Sequence, residues 1–297
     1  MVDLKSPTAA YSMLSVTAFF LACNHIIGRS VEGTIPPVGL SFWRWVAGAL
    51  ILMPLVLPRF KQSLPHYRAH FVTLLLLAVM MIGSTTLILV ALNYTSAINT
   101  SLINAVQPAL TVLFACLFIG ESLSRYKVMG IVAGLVGVLI MLTQGNLRIL
   151  VNLELNGGDL IALMAMCGFA GYAITLRKVP AQLTAFECLF AIAGLGSLLL
   201  LPFYIVESQH IATVPLTTNT VVVVFALALL ISVLGNAMWN RGIMIVGPSR
   251  AAVFINLIPV FGAILATYWL GEALELYHIL GALLVGTGIK WVVRQNA

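Results

Sequence analysis

Charge is scarce in this chain. Only 8% of its 297 residues are Asp, Glu, Lys or Arg, while 61% are hydrophobic and the mean hydropathy is +1.07. A water-soluble globule of that length needs far more polar surface, so the matching solvent is a bilayer. Acidic residues are fewer than basic ones, 9 against 15, and none falls at the middle of an apolar run. A carrier that binds cationic drugs or protons through a buried carboxylate therefore lacks its central part. Clustered Lys and Arg at depth are also missing, which argues against phosphorylated substrates. Cys23, Cys116, Cys167 and Cys188 sit singly in apolar runs, with no CxxC or His/Cys spacing. They indicate neither a disulfide nor a metal site and read as small packing residues. No Ser/His/Asp set, no ligand-spaced His/Cys/Asp/Glu cluster and no Gly-rich phosphate loop occurs, so neither an enzyme nor a cofactor is expected.

What the chain does have is a series of ten apolar runs, at 9–28, 38–57, 71–92, 97–119, 127–144, 159–177, 183–204, 220–240, 248–270 and 277–293. Each approaches the roughly 20 residues that carry a helix across about 30 Å of hydrocarbon. The expected fold is an all-α membrane protein with ten transmembrane helices, separated by breaks such as "EGTIPP", "PRFKQSLPHYRAH", "NGGD" and "ESQHIATVPLTTN". No cleavage pattern follows the first run, so a removed signal peptide is not expected. A net charge of +6 would suggest nucleic acid for a soluble protein; here it becomes a question of sidedness, and no nucleic-acid partner is expected. With a cytoplasmic N-terminus, Lys5, Arg59, Lys61, Arg68, Arg125, Lys127, Arg177, Lys178, Arg241, Arg250, Lys290 and Arg294 all fall inside. Only Arg29, Arg44 and Arg148 remain for the outer half, the imbalance that the positive-inside rule selects, so both termini are expected in the cytoplasm.

Two stretches copy one another. The frame P-x11-G-E-x-L-x2-Y-x3-G-x6-G is matched by Pro108, Gly120, Glu121, Leu123, Tyr126, Gly130 and Gly137. It recurs at an offset of 151 residues with Pro259, Gly271, Glu272, Leu274, Tyr277, Gly281 and Gly288. Upstream, "IIGRSV" from Ile26 is echoed by "ITLRKV" from Ile174. Each unit holds about five helices, 1–144 and 159–293, and an odd number makes the second unit enter the membrane inverted. Arg125 and Lys127 then lie inside while their counterparts Leu276 and His278 lie outside without fixed positive charge. Inverted repeats suit a carrier that rocks about a central site.

The doubled Pro-bearing helices, each followed by "GE" and a Gly-spaced helix, resemble the EamA branch of the drug/metabolite transporter superfamily over nearly the whole chain. Within that branch "NHIIGRSV", "PPVGLSFWRW" and "ALNYTSAINTSLINAVQPALTVLFA" are similar to exporters of amino acids, aromatic ones among them. The resemblance implies a basket in which helices one to four and six to nine enclose a cavity while five and ten brace the outside. It also implies a multi-pass protein of a bacterial inner membrane. Export of a small neutral or zwitterionic metabolite is the expected activity. Multidrug or nucleoside export, or a solute channel, remains open, and so does the oligomeric state, for which a monomer suffices.

Polar side chains at membrane depth mark the candidate substrate site. In the first half these are Asn24 and His25 near the outer end of helix one, Tyr94 closing helix three, and Asn104 and Gln107 on one face of helix four. In the second half they are Tyr172, Trp239, Asn240 and Asn256. The ordinary alternative for each is an interhelical hydrogen bond, and for Trp239 an anchor in the interfacial aromatic belt. Pro108 and Pro259 are expected to bend equivalent gating helices. Glu121 and Glu272 read as helix-end groups rather than coupling carboxylates. Arg44, between Trp43 and Trp45, either snorkels outward or holds a carboxylate.

Overall fold

The structure, a computed structural model, describes residues 6–30, 33–146, 148–151, 154, 156–270 and 273–294, without the side chains of residues 25, 26, 28–30, 97, 98, 150, 151, 269 and 270. Among the described residues there is no strand, and nine helices are long and apolar enough to cross a membrane. They are α2 (Pro37–Ala69), α3 (Phe71–Ala91), α4 (Asn99–Ile119), α5 (Arg125–Leu142), α6 (Gly157–Lys178), α7 (Ala185–His210), α8 (Thr218–Val246), α9 (Pro248–Tyr268) and α10 (Leu276–Val293). Ahead of them α1, Pro7–Ser30, has 24 residues, about 36 Å of helix.

Several ends differ from the apolar runs, each for a local reason. The polar stretch after α2's apolar run is not a loop: a 3-10 turn, Leu57–Arg59, leads into the helix Phe60–Ala69. Ser63 of that segment donates to the Glu187 carboxylate and the Tyr67 hydroxyl to the Glu187 carbonyl. Thr184 and Glu187 form the capping box that starts α7. The far end of α7 runs past residue 204 to His210, because the buried Glu207 accepts from the amides of Val38 and Gly39 at 2.9 and 2.6 Å. One carboxylate thus satisfies amides that open α2, where negative charge is favoured. Helix α8 continues to Val246, through a π-helical stretch, Ala228–Gly235, in its middle.

The closest pairing is between α5 and α10, which run antiparallel. A Cβ at Gly130 would come within 2.6 Å of the Gly288 carbonyl oxygen, and one at Gly137 within 2.7 Å of that of Gly281. The backbones approach so closely that only glycine fits. Elsewhere α2 lies along α7; α3 packs on α6 and α7; α8 packs on α1 and α2; α4 packs on α6 and α9; and α9 packs on α1. The largest apolar cluster gathers Leu14, Trp45, Leu77, Tyr172, Ile192 and Ile243 from six helices.

Candidate functional site

Two of the helices are discontinuous. The first α-helical turns of α4 end at Asn104, Ala105 and Val106 form a turn, and a new α-segment starts at Gln107. In α9 the segment Pro248–Ala252 gives way to a 3-10 stretch, Val253–Asn256, before the α-helix resumes at Leu257. Pro108 and Pro259 are therefore not kinks inside continuous helices. Each lies in the first turn of a fresh segment, where a missing N–H costs nothing and a fixed φ favours helix initiation. Irregular backbone at membrane depth persists only where protein surrounds it or it lines a cavity, and broken helices of this kind build binding sites in carriers.

Among the described residues, buried polar atoms without a hydrogen-bond partner occur on α2, α4, α7, α8 and α9. They are Asn104 Oδ1, Asn256 Oδ1, Asn240 Nδ2, Ser232 Oγ, Ser197 Oγ and Arg44 Nε. Four of the six belong to residues that the sequence singles out, Arg44, Asn104, Asn240 and Asn256. Such atoms are uncommon in a folded interior, and water or a bound solute is what ordinarily completes them. Tyr172 and Asn240 do meet: the phenol donates to the Asn240 carbonyl at 2.8 Å, joining α6 to α8 and leaving the Asn240 amide nitrogen open. Asn236, one turn earlier, donates to the Ser232 carbonyl inside the π-helical stretch.

The other expected residues are more dispersed. Trp239 is half-buried against the main apolar cluster, two turns inside the end of α8. The Asn256 amide lies against Gly134 of α5. Tyr94 is 66% exposed in the turn after α3, beside an open surface pocket lined by Gly157, Gly158 and Ile161. It sits at the surface rather than with the buried amides. Gln107 and Asn24 are half-buried on α4 and α1, and the side chain of His25 lies outside the described residues.

Every described carboxylate sits at a helix end or in a connection, and the buried ones are engaged. Asp159, in the first turn of α6, accepts from Thr95, from Asn99 at 3.1 and 3.2 Å, and from the Asn156 amide. Glu121 pairs with Lys127 at 3.1 Å and Arg177 at 3.6 Å, and accepts from Ser249 at the start of α9. A single acidic group thereby ties together α5, α6 and α9 at the end of α4, a role larger than capping. Its neighbour Gly120 takes a left-handed φ of +66°, which closes α4 and turns the chain toward that cluster. Glu272 lies outside the described residues. The sequence carried no signal for the Glu121 partners, because they come from three separate elements.

The sequence model of the EamA-like transporter family matches residues 8–143 and 156–294. The chain belongs to the EamA-like transporter family. Among its relatives, uncharacterized transporter YyaM of Bacillus subtilis (strain 168) is 28% identical over 287 residues, covering 94% of this chain and 92% of that one. Aromatic amino acid exporter YddG of Escherichia coli (strain K12) is 25% identical over 277 residues, covering 89% and 90%. A crystal structure 17% identical in sequence superposes with a TM-score of 0.79 over 96% of each chain, so the two share a fold.

Proposed function

We propose that this EamA-family transporter exports small neutral or zwitterionic metabolites, amino acids with apolar side chains foremost, by alternating access between two inverted five-helix halves. The observation that carries the reading is the exchange at the α5–α10 crossing. Gly130 meets Gly288, the repeat counterpart of Gly137, while Gly137 meets Gly281, the counterpart of Gly130. Reciprocal contact of this kind is what a twofold axis across an antiparallel pair produces. The pairs α3–α6, α4–α6 and α3–α7 have their counterparts in α8–α1, α9–α1 and α8–α2, as the same axis requires. Breaks in α4 and α9 at corresponding positions add a hinge to each half.

The substrate class rests on the chemistry of the interior. Open amides and hydroxyls on α4, α7 and α8 offer hydrogen bonds to a polar head, and aromatic and aliphatic walls suit an apolar body. The Escherichia coli relative, an aromatic amino acid exporter, favours aromatic amino acids as the substrate. In this reading both termini face the cytoplasm of a bacterial cell, and a monomer completes the transport unit.

Counterflow into proteoliposomes tests the proposal, with labelled amino acids, nucleosides and cationic drugs screened side by side. Saturable counterflow of phenylalanine, tryptophan or leucine is expected. Counterflow of nucleosides or cations alone would replace the amino acid reading, and non-saturating flux without counterflow would make the protein a channel.

A further inference from the structure

Among the described residues, one buried base has no carboxylate partner. Arg44 is 6% exposed, its Nε has no hydrogen-bond partner, and no carboxylate among the described residues pairs with its guanidinium, whose Cζ lies 5.6 Å from the centroid of the Trp45 ring. The other buried base among the described residues, Lys127, is paired with Glu121. The carboxylate that serves α2, Glu207, is spent on the amides of Val38 and Gly39 at the helix start. A snorkelling arginine keeps its head in water, whereas this one is covered. An unpaired buried cation is among the costliest groups a folded interior can hold, and it persists where a ligand completes it.

We infer that Arg44 is the receptor for the carboxylate of the transported solute. The inference rests on the amino acid reading above and names the group that would hold one pole of such a substrate. Arg44 lies about 10 Å along α2 from its start, at the depth where α2 meets α8. One turn earlier on the same face, Ser41 is committed to Thr86 at 2.8 Å. One turn later Gly48 touches Ser232, whose hydroxyl has no partner. Ser232, whose hydroxyl can donate, thus lies against the turn of α2 that follows Arg44. A single planar fork fits the two oxygens of one carboxylate, while a phosphate calls for several cations that the interior does not contain.

The test compares three probes of one shape on the purified, reconstituted protein: L-phenylalanine, 3-phenylpropionate, which lacks the amine, and phenethylamine, which lacks the carboxylate. Binding is read by ligand-induced thermal shift and transport by counterflow. Wild type should bind both carboxylates and bind phenethylamine at least roughly tenfold more weakly. Arg44→Gln should lose roughly ten- to a hundredfold of affinity for both carboxylates. The ligand-free variant should melt no lower than wild type, since an unpaired buried charge has been removed. Arg44→Lys, which keeps the charge without the fork, should retain part of the affinity. Carboxylate affinity unchanged in Arg44→Gln, or phenethylamine bound by wild type as tightly as the carboxylates, overturns the assignment. If Arg44→Gln does not fold, the wild-type probe series and Arg44→Lys decide alone, and full carboxylate affinity in Arg44→Lys counts against the fork. The two readings fail separately. Binding of 3-phenylpropionate without amino acid counterflow removes the amino acid substrate and leaves Arg44 in place, whereas amino acid counterflow undiminished in Arg44→Gln does the reverse.

Discussion

Tyr172 and Asn240 lie 68 residues apart in sequence and share one buried hydrogen bond, so each explains why the other is polar. Tyr172→Phe removes the donor and leaves both polar atoms of the Asn240 amide unpaired. A loss of about 0.6–1.7 kcal/mol is expected, the range for interhelical hydrogen bonds in membranes. Asn240→Leu should cost a similar amount, and the double variant less than the two together, because one bond is counted in both. Thermal unfolding of the three purified variants checks this, and strictly additive losses would contradict the bond. Apparent substrate affinity should survive Tyr172→Phe if the pair is structural. The sequence marks both residues as polar at depth, yet nothing in it says whether they face solute or each other; that is decided by how α6 and α8 are rotated. The same holds for Asn256, whose position against Gly134 depends on a glycine on another helix.

At the level of elements, helix count and spacing are legible because apolar length is set by bilayer thickness. Ends are less so where polar residues have private partners. Glu207 reads as the beginning of a loop from its neighbours "ESQH", but its carboxylate completes the start of α2 and so belongs to the helix. The Asn240–Arg241 pair likewise reads as the end of α8, which continues six residues further to Val246 because the Asn240 side chain is bonded inward. The prolines also change meaning. Pro108 and Pro259 open new segments after breaks in α4 and α9, and replacing either by Ala returns an N–H to bond the carbonyl one turn earlier. Each change should favour a straighter, continuous helix. Counterflow is expected to slow severalfold while folded yield is kept, and unchanged flux in both variants would separate the breaks from gating.

For the whole molecule, the charge asymmetry predicts an orientation that labelling can check. In a background without the native cysteines, Gln62→Cys in the segment after α2's apolar run and Thr213→Cys between α7 and α8 are both exposed positions. An impermeant thiol reagent applied to intact cells should modify Thr213→Cys and spare Gln62→Cys, with the reverse pattern placing the termini outside. The repeat is readable in the chain because identical glycines recur at a fixed offset; the partner of each glycine is not. That partnership bears on biosynthesis. The glycine face of α5 emerges from the ribosome 158 residues before Gly288, the position that Gly130 meets. At synthesis rates of about 5–20 residues per second, that face waits roughly 8–30 s for its partner. Over that interval lipid chains must cover a groove shaped for a helix, so α5 is the part of the nascent protein most open to capture by insertion factors or quality-control proteases.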